Sequence, residues 1–71
     1  MKILVTGANG LLGQKLSLLL DKDEQIQLTA TARKKIGYTL THSDFKILDI
    51  TDTTQTLDVI SQTKPDVVIH T

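Results

Sequence analysis

The feature that most narrows the folds open to this chain is the glycine series Gly7, Gly10 and Gly13 in Thr6-Gly7-Ala8-Asn9-Gly10-Leu11-Leu12-Gly13. A short apolar run, Ile3-Leu4-Val5, stops just before it, and a leucine-rich segment of helical periodicity follows. Strand, glycine turn, helix is the setting in which such glycines receive the phosphates of a nucleotide. Gly7 lets the chain leave the strand sharply, with a positive φ. Gly10 lacks the Cβ that would keep the backbone away from a pyrophosphate, and Gly13 lets the first helical turn pack against the strand. The phosphates then face unpaired N–H groups and the positive end of the helix dipole. A P-loop is the rival, but it needs Gly-Lys-Ser/Thr after its last glycine, and Gly13 is followed by Gln14-Lys15-Leu16. The plainer alternative is a strand-to-helix turn without a ligand.

Lys2 to Thr6 forms the first strand, continuous and apolar as in a parallel strand covered on both faces. A helix from about Leu11 to Lys22 follows, with Leu12, Leu16, Leu19 and Leu20 as its expected buried stripe. After the polar turn Asp21 to Gln25, Ile26, Leu28, Ala30 and Ala32 alternate with Gln27, Thr29 and Thr31 in a second strand. Arg33 to Asp44 reads as a polar loop, and Phe45 to Leu48 as a short third strand ending at Asp49-Ile50. Asp52-Thr53-Thr54-Gln55 has the form of a capping box, with Asp52 as the cap and Gln55 reaching back. The helix it opens is threonine-rich, carries Leu57 and Ile60, and should stop before Pro65. Asp66 to His70 is a fourth strand with the apolar run Val67-Val68-Ile69.

Strands alternating with helices imply an α/β fold with a parallel sheet and right-handed crossovers. Strands one and four read as fully buried, two and three as half-buried, which suits the doubly wound order 3-2-1-4. Nothing follows strand four, and a bare edge of that kind is an aggregation liability. The expectation is a single unit over residues 1–71 that forms the front piece of a longer protein.

Composition removes several function classes. The 71 residues carry eight basic and eight acidic side chains, so no net field draws the chain to nucleic acid or membrane. Without cysteine there is no disulfide framework and no thiolate metal site. The longest apolar run is far below the roughly 18 residues of a membrane span. The N-terminus lacks the pattern of a signal peptide, so a cytoplasmic location is expected.

Arg33 lies twenty positions after Gly13, at the end of strand two. An acid at such a place binds a ribose 2′-hydroxyl, whereas an arginine nearby accommodates a 2′-phosphate. The strand ends Ala32-Arg33-Lys34-Lys35 with no acid in reach, which favours NADP(H) and leaves NAD(H) as the alternative. The competing account is a solvated basic turn. Asp49 could accept from an adenine amino group while Ile50 packs on the ring, or Asp49 could instead cap a turn with Asp52. His70 and Thr71 end strand four beside the glycine turn. With no visible partner, His70 reads as structural and not catalytic.

The segments Val5 to Gly13, Leu48-Asp49-Ile50-Thr51-Asp52 and Lys64-Pro65-Asp66-Val67-Val68-Ile69-His70-Thr71 together resemble the N-terminus of the extended short-chain dehydrogenase/reductase family. Within it the chain looks most like the dTDP-4-dehydrorhamnose reductases, the RmlD-like sugar-nucleotide reductases. The resemblance covers nearly the whole chain. It implies the first part of a Rossmann-type domain and, in the intact protein, hydride transfer from NAD(P)H to the C4 ketone of a nucleotide-linked deoxysugar. By position, Gly7, Asn9, Gly10, Leu11, Leu12 and Gly13 would surround the pyrophosphate. Arg33 would lie at the adenosine ribose, Asp49 and Ile50 at adenine, and Thr71 near the middle of the cofactor. The implied partners are the dinucleotide and a nucleotide sugar, with a homodimer admissible; no residue is assigned as a metal ligand, although some relatives depend on a metal. The family's Ser/Thr and Tyr-x-x-x-Lys are missing from these residues. Tyr38 cannot replace them, because position 42 is His. The 71 residues alone are therefore expected to catalyse nothing, since no donor for a developing alkoxide is present. Two alternatives remain: a non-catalytic dinucleotide sensor or regulatory subunit of the same fold, and a small interaction domain, which the bare fourth strand disfavours.

Overall fold

In the computed structural model, which describes residues 1–71, six elements follow in the order β1 (Lys2–Thr6), α1 (Leu11–Asp21), β2 (Gln27–Ala32), β3 (Asp44–Ile47), α2 (Thr53–Thr63) and β4 (Val67–His70). The strands form one parallel sheet ordered β3-β2-β1-β4, as the alternation of elements predicts. Val5 lies beside Ala30 and Ile69, and Leu4 beside Thr29 and Val68. Because side chains alternate along a strand, this register separates two apolar layers. On one face Ile3, Val5 and Leu28 receive Leu16 and Leu20 of α1. On the other, Leu4 and Leu48 receive Val59 of α2.

Several expectations change once neighbours in space are known. The buried side of α1 runs through Gly13, Ser17 and Asp21, with Leu16 and Leu20 alongside. Leu12 and Leu19 are instead about two-thirds exposed. The small residues at 13 and 17 let the helix close on the sheet, and that rotation turns Leu12 and Leu19 outward. Strand β2 is buried from Leu28 to Ala32, not half-buried, because it lies between β1 and β3. Its Thr31 hydroxyl is satisfied by the Val5 carbonyl at 2.9 Å. Strand β4 is the reverse case: Val67 and Val68 stay exposed because only β1 adjoins it. Strand β3 begins one residue early, at Asp44. Leu48 falls just beyond it yet remains buried, with its N–H on the Ala32 carbonyl.

The cap of α2 forms as predicted on one side, with Asp52 accepting from the Gln55 amide at 3.0 Å. The return bond differs. The Asp52 amide already donates to the Asp49 carbonyl, so the Gln55 side chain accepts from the Asp49 amide instead. The helix stops at Thr63, where Lys64 takes a left-handed conformation (φ 45°) before Pro65. A residue preceding proline is pushed out of the right-handed helical region, so the stop is local in origin.

The segment between β2 and β3 is not the solvated polar loop its composition suggests. Ile36 and Leu40 pack with Phe45 over Ala8, Ala30 and Ala32. The Tyr38 hydroxyl donates to the Ala8 carbonyl at 2.8 Å. Asp21, 6% exposed at the last turn of α1, accepts from the Thr41 amide, the His42 amide and the Ser43 hydroxyl at 2.7, 2.9 and 2.6 Å. The Ser43 hydroxyl and the Thr41 amide outweigh desolvation and hold its carboxyl below the ordinary value.

Two expected outcomes follow from this packing. A helix interior ordinarily favours Ala over Gly by about 1 kcal/mol. At position 13, however, a Cβ would overlap the Gly7 carbonyl oxygen and crowd the Thr71 hydroxyl. Gly13→Ala should therefore destabilise the fold by about 2 kcal/mol, overpacking outweighing propensity, as read by urea denaturation. Asp21→Asn leaves buried donors poorly matched and should cost about 1–3 kcal/mol at neutral pH. A carboxyl whose folded pKa is depressed stabilises the fold above its unfolded value and ceases to as pH falls through the folded one. The gap between wild type and Asp21→Asn should accordingly be constant above about pH 5 and close as the pH falls below about 4, measured by denaturation across that range.

Candidate functional site

The carboxyl ends of β1, β2 and β3 converge on an open cleft of about 590 Å³, lined by Gly7, Asn9, Ala32, Arg33, Lys34 and Asp49. In a doubly wound sheet this crevice is where ligands bind. Its floor is the turn off β1. Gly7 has φ +73°, and a Cβ on it would stand 2.5 Å from the Thr71 carbonyl oxygen. The Thr71 hydroxyl donates to the carbonyls of Thr6 and Gly7, at 2.7 and 3.1 Å. Glycine at 7 and at 13 is thus required by the chain's own packing.

Gly10 differs. It is the N-cap of α1 with φ −70° and ψ 164°, a conformation open to any residue. A Cβ there would meet only the Gly7 carbonyl oxygen, at 3.4 Å. No internal contact requires glycine at this position. No side chain caps α1, its first turn holds no acid, and its capping ladder begins with Gln14 N–H on the Gly10 carbonyl. The amides of Leu11, Leu12 and Gly13 donate to nothing within the chain. This leaves the positive end of the helix dipole uncompensated beside the glycine turn.

Arg33 and Lys34 form the opposite wall, and the Asn9 carboxamide donates to the Lys34 carbonyl at 2.9 Å, tying the glycine turn to that wall. The Asp49 side chain shapes a turn, with Thr51 and not with Asp52, and the residue also lines the cleft. Its Oδ1 accepts the Thr51 hydroxyl at 2.6 Å and the Thr51 amide at 3.0 Å, whereas Oδ2 carries no bond. Those two bonds hold its carboxyl below the ordinary value, and the positive charge of Arg33 adds to the effect.

Of the residues singled out from sequence, Gly7, Asn9, Arg33 and Asp49 therefore share the cleft. Gly10, Leu11 and Leu12 form the helix start that directly follows Asn9. Ile50 is exposed outside the lining, and Thr71 supports the turn from below. Ala32 and Lys34 were missed as lining residues, although Lys34 belongs to the same basic run as Arg33. His70 has the partner that sequence hid: its Nδ1 lies 2.6 Å from the Thr6 hydroxyl.

A slightly larger polar concavity, about 640 Å³, opens at the other end of the sheet around Lys2, Gln27 and Asp44, away from any glycine turn. No group of three His, Asp or Glu side chains could hold a metal ion, and no helix is long and apolar enough to cross a membrane.

The model of the family described as RmlD substrate binding domain matches residues 1–71. No curated protein matches the chain. Among solved structures, the chain is similar to L-threonine dehydrogenase from Clostridium difficile, with 28% identity, TM-score 0.79, and coverage of 97% of this chain and 23% of that one. A monomeric L-threonine 3-dehydrogenase from a metagenome is 29% identical at TM-score 0.73, with 97% and 22% coverage. A mutated uronate dehydrogenase, at 23% identity, TM-score 0.78, and 97% and 24% coverage, shares the fold. The chain thus spans about a quarter of the length of these relatives.

Proposed function

The chain belongs to the RmlD substrate-binding-domain family, and from that membership we propose that residues 1–71 are the dinucleotide-binding portion of an NAD(P)-dependent oxidoreductase. The observation that carries this is Gly10, a glycine that neither backbone conformation nor internal packing demands, set at an uncapped helix start. A pyrophosphate approaching the Leu11, Leu12 and Gly13 amides accounts for both features. The dehydrogenase names of the similar structures agree with it.

In this assignment the bound dinucleotide supplies the hydride. The protein's residues hold it. The α1 amides take the pyrophosphate, and Arg33 takes a 2′-phosphate on the adenosine ribose, which favours NADP(H) over NAD(H). The free Oδ2 of Asp49 accepts from the adenine amino group, with Ile50 against the ring. Thr71 keeps the Gly7 turn in place at the middle of the cofactor. The substrate we favour is a nucleotide-linked deoxysugar ketone of the dTDP-4-dehydrorhamnose type, reduced in the cytoplasm. These residues hold no Tyr-x-x-x-Lys, so the proton donor for that ketone lies outside them.

Gly10→Val should leave the melting midpoint of the protein within a few degrees of wild type, since position 10 has room. It should weaken both NADPH and NADH by at least about tenfold, because a branched side chain takes the pyrophosphate's place. Retained affinity in calorimetric titration would sink the assignment. Arg33→Asp should weaken NADPH by about tenfold or more and NADH far less, the loss of a charge-assisted phosphate contact. Equal losses would exclude the 2′-phosphate role.

A further inference from the structure

Asp21 is placed where a carboxylate gains least from its surroundings. It ends α1, at the negative end of the helix dipole, and is buried. What offsets this is a set of three hydrogen bonds, all to one short stretch, Thr41 to Ser43. That stretch closes the segment that begins at Arg33 and runs without helix or strand to β3. Along the way the segment is fastened by apolar contacts of Ile36 and Leu40 and by the Tyr38 bond to Ala8. At its Arg33 end the only hydrogen bond is that of Asn9 to the Lys34 carbonyl, at an exposed site.

We infer that Asp21 is a positioning residue for the adenosine end of the cleft: by anchoring residues 41–43 it fixes the far end of the segment that packs over the alanine cluster and so sets where Arg33 and Lys34 stand. This rests on the cofactor assignment above. Asp21 touches neither the cleft nor anything bound there, so its effect must pass through the segment. A residue acting this way changes discrimination at the wall it supports more than overall binding. Its carboxylate accepts three donors, which an amide of the same size cannot do.

The test compares NADPH and NADH affinities, by calorimetry on the full-length protein, for wild type, Asp21→Asn, Ser43→Ala and Arg33→Asp. Asp21→Asn should weaken NADPH by about fivefold and NADH by less than twofold, the scale on which a residue acts through its neighbours. Ser43→Ala, which removes one of the three donors, should shift the same ratio by about twofold. Hydrogen exchange should show faster amides at Thr41 and His42, which donate to Asp21, in both variants while those of β1 are unchanged. If both variants lose melting temperature but keep the NADPH-to-NADH ratio, Asp21 serves stability alone and the inference is overturned. An equal loss of both cofactors overturns it as well. If Asp21→Asn fails to fold, Ser43→Ala decides by the same ratio. If Arg33→Asp leaves that ratio untouched, the 2′-phosphate role of Arg33 fails and takes this inference with it, whereas the dinucleotide assignment is decided separately by Gly10→Val. A change for Arg33→Asp without one for the Asp21 and Ser43 variants rejects only the positioning role.

Discussion

How near α1 can come to the carbonyl of Gly7 decides the shape of the whole carboxyl end of the sheet. That carbonyl lies against Gly13 on one side and the Thr71 hydroxyl on the other, leaving no space for a Cβ at position 7 or 13. Backbone oxygens packed this tightly need a donor, and Thr71 supplies one to both Thr6 and Gly7. The close approach sets the rotation of α1, which places Gly13, Ser17 and Asp21 against the sheet. It also aims the first amides of the helix out of the chain. One contact thereby fixes the packing face, the exposure of Leu12 and Leu19, and the polarity at the cleft.

Elements whose causes are local could be read from the residues in order. The apolar run of β1, the Asp52 cap and the stop before Pro65 need no knowledge of neighbours. Burial could not be read in the same way. The alternating pattern of β2 suggested one wet face, but threonines are small and can bond to backbone, so Thr29 and Thr31 fit between strands. The valines of β4 have the composition of a covered strand, but they stand exposed at the bare edge that the expected order 3-2-1-4 leaves there. At the site, the glycines announced themselves through spacing, and Arg33 through its distance from them. Asp21 did not, because in sequence it looks like the first residue of a polar turn and its partners lie about twenty positions away. His70 concealed its partner for the same reason, Thr6 being 64 positions away.

Zero net charge masks a strongly uneven local arrangement. Arg33, Lys34 and the uncapped start of α1 bring positive potential to the cleft, and Asp49 is the one acid in its lining. Asp49 is itself held ionised by Thr51, with Arg33 in support, so the wall combines an anion-seeking side and a hydrogen-bond acceptor. Such a pairing suits a ligand with phosphates at one place and an amino group at another. Potential in a cleft depends on where charges stand, which a sum over residues does not record.

The bond between Thr71 and Gly7 also has a consequence in time. Residues 64 positions apart must meet before the turn is supported, and the clasp between Thr6 and His70 and the bond from Lys2 to Asp66 span the same separation. Contacts of that range form late, because chain entropy is lost before they repay it. A ribosome adding roughly 5–20 residues per second needs about 3–12 s to travel from Gly13 to Thr71. Throughout that interval the residues of the glycine loop exist, but the hydroxyl that supports the turn does not. A turn made early thus waits for a hydroxyl supplied 64 positions later.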